Sequence, residues 1–190
     1  KMSKCLLLEP NETVAQLIVD NLERSFRLEV KCVKNLDEAC STVDTDPNFS
    51  LILCRHKIQN QETAKQVGIF LQQMGLEIPL LVTGQGHILK VEELNSAIVK
   101  TLKLDGTFSF EELPEFVPLP LNYFFILNHS NCDVYILIKK MDEKQYVRRW
   151  KANEVWDKEV LEKYQKSELA YLYIPKQYKN YFMNKLLGHF

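Results

Sequence analysis

The sequence predicts an α/β fold, with a doubly wound parallel sheet over residues 1–104 and a second, smaller α+β domain over residues 121–190. Two patterns carry this expectation. Short apolar runs alternate with amphipathic helical segments through the first half, and parallel neighbours require such crossovers, which are right-handed. Between Asp105 and Pro120 the composition turns to glycine, proline and glutamate, which reads as a linker, and beyond it the strands come closely spaced and joined by turns.

Taken in order, Leu6 to Leu8 is the first strand, and Asn11 then caps a helix whose Val14, Leu17, Ile18, Leu22 and Phe26 share one face. Leu28 to Val33 gives a second strand, and Asn35 caps a shorter helix through about Val43. Leu51-Ile52-Leu53-Cys54 is the continuous apolar run of a strand covered on both faces. Gln61 to Met74 spaces Ala64, Val67, Leu71 and Met74 for one helical face, with Gly75 as the stop and Pro79 to Val82 as the next strand. Val91 to Leu104 is a further helix. In the linker Phe108, Phe110, Phe116 and Val117 need cover. After it, Tyr123 to Leu127, Asp133 to Ile138 and Gln145 to Trp150 read as strands, the last two joined by a turn at Lys140 to Glu143. Asp157 to Lys166 is a helix, Leu169 to Ile174 a strand, and Pro175 opens a last helix through about Leu187.

Of the 190 residues, 46% are hydrophobic and 26% charged, the balance of an ordinary folded protein. A net charge of −1 argues against a nucleic-acid partner, because phosphate neutralisation needs a concentrated excess of Lys and Arg. No apolar stretch approaches the ~18 residues of a membrane span, so no membrane partner is expected. The opening run Cys5 to Leu8 is too short for a secretion signal and is closed by Glu9 and Pro10. Cys5, Cys32, Cys40, Cys54 and Cys132 are an odd set without CxxC spacing, which fits a reducing, cytoplasmic setting.

The order of elements in the first half resembles the receiver domain of two-component response regulators, a flavodoxin-like fold with its active site at the carboxyl ends of the strands. That family places an acidic pair after the first strand to hold Mg²⁺, a phosphoaccepting Asp after the third, a Ser or Thr after the fourth and a Lys after the fifth. Here the first position keeps one acid, Glu9, followed by Pro10. The phosphoacceptor position falls on Arg55, or on Cys54 if the register slips by one, and neither forms an acyl phosphate. Thr83 matches the hydroxyl, and Lys90 in Ile88-Leu89-Lys90 matches the lysine. The resemblance therefore implies a degenerate receiver, a pseudo-receiver without phosphorylation chemistry. Gly84 to His87 is too short for the usual fourth helix. Either that helix is deleted, the reading favoured here, or Val91 to Leu104 is the fourth helix and the fifth strand is missing. Arg55 either pairs with Glu9, locking one conformation without phosphate, or points into solvent.

The second half resembles the small module found ahead of HD-GYP-type domains in bacterial cyclic-dinucleotide signalling, through Phe116 to Pro120, Cys132 to Ile136, the hairpin into Tyr146-Val147 and Leu169 to Ile174. No HD pair and no GYP sequence occurs. Arg148-Arg149-Trp150-Lys151 is the densest basic cluster, a pattern that suits an anionic nucleotide such as a cyclic dinucleotide, or one exposed strand edge. The Gly-bearing motif of PilZ domains is missing. Cys54 and His56 flank Arg55, but no second Cys/His pair completes a tetrahedral set, so no metal and no other cofactor is expected. His87, His129 and His189 stand isolated in sequence. No P-loop, GxSxG elbow or HExxH occurs, and Gly84-Gln85-Gly86 lacks the third glycine of a dinucleotide fingerprint, so no enzyme activity is expected. The tyrosines Tyr164, Tyr171, Tyr173, Tyr178 and Tyr181 mark either a binding surface or the core of a small domain. The sequence thus points to a non-catalytic signalling regulator or scaffold that binds a protein partner, a signalling component or a second copy of itself.

Overall fold

The computed structural model describes residues 2–104 and 112–189, which divide into two compact units, the second opening at Glu112. Phe108 and Phe110, and the start of the expected linker, lie outside the described residues.

In the first unit, strands β1 (Lys4–Leu8), β2 (Glu29–Val33), β3 (Leu51–Arg55) and β4 (Leu80–Thr83) form one parallel sheet in the order β2-β1-β3-β4. The helices are α1 (Glu12–Phe26), α2 (Leu36–Thr45), α3 (Thr63–Gln73) and α4 (Val91–Thr101). This is the doubly wound, flavodoxin-like arrangement. The caps sit where the sequence places them: Asn11 accepts from the Val14 N–H at 3.0 Å and Asn35 from the Glu38 N–H at 2.9 Å. Because strand side chains alternate, Leu6, Leu8, Ile52 and Cys54 face one layer, where they pack with Val33, Val43, Val67 and Leu71 of the α2 and α3 side. Cys5, Leu7, Leu51 and Leu53 point the other way and are equally buried. Met74, expected inward, closes α3 at its C-cap and is 46% exposed.

The connection after β4 resolves the two alternatives. Ile88 returns to Thr83 through a single parallel bridge, with Ile88 N–H donating to Val82 O at 3.1 Å and Gly84 N–H to Ile88 O at 3.0 Å. The fifth strand is reduced to that bridge, and Gly84 (φ 112°) and Gly86 (φ 80°) supply the positive-φ backbone that lets so short a loop turn. Right-handed crossovers put any helix between β4 and a fifth strand on the α2/α3 side. Helix α4 instead lies on the α1 side, where Asn95 Oδ1 accepts from buried Asn21 Nδ2 at 2.7 Å. It is therefore the helix that follows the fifth-strand position, and the fourth helix is absent among the described residues.

In the second unit, β5 (Phe116–Pro120), β6 (Val134–Lys140), β7 (Glu143–Trp150) and β8 (Tyr171–Pro175) form an antiparallel sheet in the order β5-β8-β6-β7, with helices α5 (Asn122–Ile126), α6 (Lys158–Lys166) and α7 (Lys179–His189). Two expectations are corrected here. Residues 116–120, assigned to the linker, are a strand: Val117 and Leu119 are buried while Pro118 and Pro120 alternate with them, and proline is tolerated because β5 is an edge. Tyr123 to Leu127, expected as a strand, begins in a helix. Its aromatic composition favours a strand, but the short helix buries the adjacent Tyr123 and Phe124 together, which an alternating strand cannot do against one layer. One sheet face packs on the helices. Phe124 meets Trp156 (5.5 Å between ring centroids) and Phe182 (5.1 Å), and Trp156 reaches Trp150 of β7 at 6.0 Å.

Candidate functional site

The carboxyl ends of β1, β3 and β4 bring three of the sequence-selected residues to one place. Glu9 directly follows β1, on the same alternation as Leu7, and its N–H donates to Val33 O at 3.1 Å, which fixes the chain beside β2. Arg55 is the last residue of β3, and Thr83, the last of β4, is its register partner. Cys54, one position earlier, pairs with Leu8. The strand end therefore presents Arg55, and the alternative that Cys54 occupies the position is corrected. Cys54 points into the apolar layer, and burial pushes its thiol up to about 12. It is a packing residue with no part in the pocket.

Arg55 Nη1 lies 2.8 Å from Glu9 Oε1, with the Glu9 side chain 2% exposed and that of Arg55 20% exposed. The second carboxylate oxygen accepts from the Asn11 N–H at 3.1 Å. Both oxygens are thus occupied, one by a guanidinium and one by the turn that starts α1. Burial holds the Glu9 carboxyl above the ordinary carboxylate range, offset in part by the Asn11 N–H and by Arg55. This ion pair is one of the two readings left open by the sequence, and the geometry selects it over a solvated Arg55. Thr83 is buried, and its carbonyl accepts from the His56 N–H at 2.7 Å. Lys90 is exposed and stands just before α4, its carbonyl accepting from the Leu94 N–H at 3.0 Å.

Sequence reasoning missed a neighbour of this pair. The loop that replaces the fourth helix carries His87 over His56, with ring centroids 4.4 Å apart and planes tilted by 44°. The two residues are far apart in sequence, and only the deletion of that helix brings them together. Groups of three or more His, Cys, Asp or Glu placed to hold a metal ion are absent among the described residues.

In the second unit Arg149 and Trp150 come together while Arg148 stands apart. A register shift between Val134 and Tyr135 makes Arg149 the extra residue of a β-bulge, so Tyr135 faces Arg148 while Val134 faces Trp150. Trp150 is 3% exposed and belongs to the helix-covered core, which corrects the reading of the cluster as one exposed strand edge. Arg149 Nε donates to the Tyr164 hydroxyl at 3.0 Å, and its guanidinium lies 4.7 Å over the Trp150 ring. Arg148 is exposed and reaches Asp133 at 3.5 Å.

No protein-family model matches the chain, and no curated protein matches it. Among solved structures it is similar to the chemotaxis protein CheY4 of Vibrio cholerae, at 17% identity over 57% of this chain and 90% of that one, with a TM-score of 0.41. It is also similar to a chain of the Saccharomyces cerevisiae complex of the histidine phosphotransfer protein Ypd1 with the receiver domain of the response regulator Ssk1, at 20% identity over 50% of this chain and 73% of that one, with a TM-score of 0.36. Likeness at this level carries no argument beyond the strand order and pairing already described. No helix among the described residues is long and apolar enough to cross a membrane.

Proposed function

We propose that the chain is a signal-transduction regulator that acts by binding other proteins through a receiver-like first unit that takes no phosphoryl group. The observation that carries this is the buried Glu9–Arg55 pair at the carboxyl ends of β1 and β3. A receiver needs a nucleophilic carboxylate at the β3 end and acids free to hold a divalent cation beside it. A guanidinium is no nucleophile, and the one acid at the β1 end has both oxygens engaged within the protein. A cation entering here would have to displace Arg55 into a site it already neutralises.

The same pair supplies, without phosphate, the kind of local charge neutralisation that metal and phosphoryl group provide in a switching domain. An effector with no differential affinity for two states shifts neither, so this unit stands in one conformation and its output is set by partner concentration. The test is a ¹H–¹⁵N spectrum recorded with Mg²⁺ and beryllofluoride, which mimics a bound phosphoryl group. The amides of Arg55, Thr83 and Gly84 are expected to stay in place. Saturable shifts of those amides would overturn the proposal.

A further inference from the structure

The second unit carries a sheet face that its own helices do not cover. Alternation sends Val117, Leu172, Ile174, Val134 and Trp150 into the helix layer, all at most 3% exposed. The opposite face gathers Phe116, Tyr135, Tyr146 and Tyr173 from all four strands. Phe116 stacks on Tyr146 (4.5 Å, 21°), meets Tyr135 edge-on at 4.7 Å, and Tyr146 meets Tyr173 at 5.1 Å. Pro118 and Pro120 of β5 and Tyr171 of β8, the last 47% exposed, extend the same face, because Pro118 is the register partner of Tyr173 and Pro120 of Tyr171. Along the β6–β7 side the face ends in exposed Lys139 and Lys144, which sit opposite one another. None of the strand residues on this face is a carboxylate, and like charges set opposite each other on neighbouring strands are destabilising. Neither lysine takes part in any of the ion pairs described above.

We infer that this face is a docking site for a short acidic segment of a protein partner, its apolar side chains lying on the aromatic cluster and its carboxylates on Lys139 and Lys144. Three features choose that occupant. Four strands at ~4.8 Å and about five residues at ~3.3 Å outline roughly 300 Å². That is well under the ~800 Å² per partner of a stable dimer, and it suits an extended segment better than a second copy of this chain. Phe116 and Tyr146 use their faces on one another, whereas a single-stranded nucleic acid needs free faces for its bases. With Arg148 drawn to Asp133, the remaining cations are too few to track a phosphate backbone but are placed to receive carboxylates at one margin. All of its lining residues belong to the second unit.

The experiment is fluorescence anisotropy of the full chain with a short fluorescein-labelled peptide alternating glutamate and leucine, beside the same peptide with lysine for glutamate and a labelled oligothymidylate. Saturable binding of the acidic peptide alone is expected. It should weaken about five- to tenfold in Lys139→Glu or Lys144→Glu, both exposed positions, and in Tyr146→Ser. Sedimentation run in parallel should show a monomer at the same concentrations. Absence of acidic-peptide binding, binding unchanged by these substitutions, preference for the lysine peptide or the oligonucleotide, or a dimer abolished by Tyr146→Ser would each overturn the inference.

Discussion

Removing the guanidinium from the Glu9–Arg55 pair tests the account at its centre. In Arg55→Ala the Glu9 carboxylate stays buried with the Asn11 N–H as its remaining partner in the turn. Two unit charges ~4 Å apart at an effective dielectric of about 20 attract by ~4 kcal/mol, and breaking one side of a buried pair costs about 3 to 5 kcal/mol. Arg55 keeps some contact with solvent, so the lower figure applies, a loss of about 3 kcal/mol at pH 7. Acid offers Glu9 an escape. Its folded-state value already lies above the ordinary range, so the folded form binds that proton more tightly than the unfolded chain. Stability from this group is then highest below the ordinary carboxylate range and falls as pH rises through the folded value. Arg55 is one of the influences pulling Glu9 down, so its loss widens that window, and the deficit should shrink to about 1 kcal/mol near pH 4. Urea unfolding followed by far-UV circular dichroism at both pH values measures it. Both tryptophans, Trp150 and Trp156, lie in the second unit, so their fluorescence reports that unit alongside the circular-dichroism transition. A deficit under about 1 kcal/mol at pH 7, or one equal at both pH values, would refute the reasoning.

Further outcomes follow from the same geometry. Iodoacetamide at mildly alkaline pH should label exposed Cys32 first and leave Cys5 and Cys54, whose thiols burial pushes up to about 12, unmodified until urea is added, as read by peptide mass mapping. Trp156→Phe removes the indole N–H that donates to Phe124 O and Leu127 O, both at 2.8 Å, and should destabilise the second unit by about 2 kcal/mol in a Trp150 fluorescence titration. Asn11→Ala loses the α1 cap and should cost about 1 kcal/mol in the circular-dichroism transition.

The layers of the first unit were legible because every local signal agreed. The Asn11 and Asn35 caps, the continuous apolar run at Leu51 to Cys54 and the 3.6-residue spacing of Val14 to Phe26 all point one way. The Glu9–Arg55 pair was legible as one of two options, because strand order alone sets those ends side by side. What escaped reading depends on burial that sequence does not display. Tyr123 and Phe124 carry strand propensity but are buried together in a helix, and the alternation of Val117 and Leu119 was masked by prolines that only an edge strand tolerates. The bulge at Arg149 puts Trp150 on the face opposite Arg148, since one inserted residue flips every side chain beyond it. The contact of His56 with His87 arises from the missing helix, a relation between residues that no local pattern records.

The central claim, that the pocket at the strand ends takes no phosphoryl group, is tested most directly by intact-mass analysis of the full chain after incubation with Mg²⁺ and a small phosphodonor, beside a competent receiver as control. The wild-type chain and Arg55→Asp are both expected to keep their original mass, because Glu9 alone does not assemble the metal site. A stoichiometric phosphoryl adduct on the wild-type chain would contradict the account outright, and one on Arg55→Asp would show that the pocket retains its metal chemistry and that Arg55 alone had silenced it.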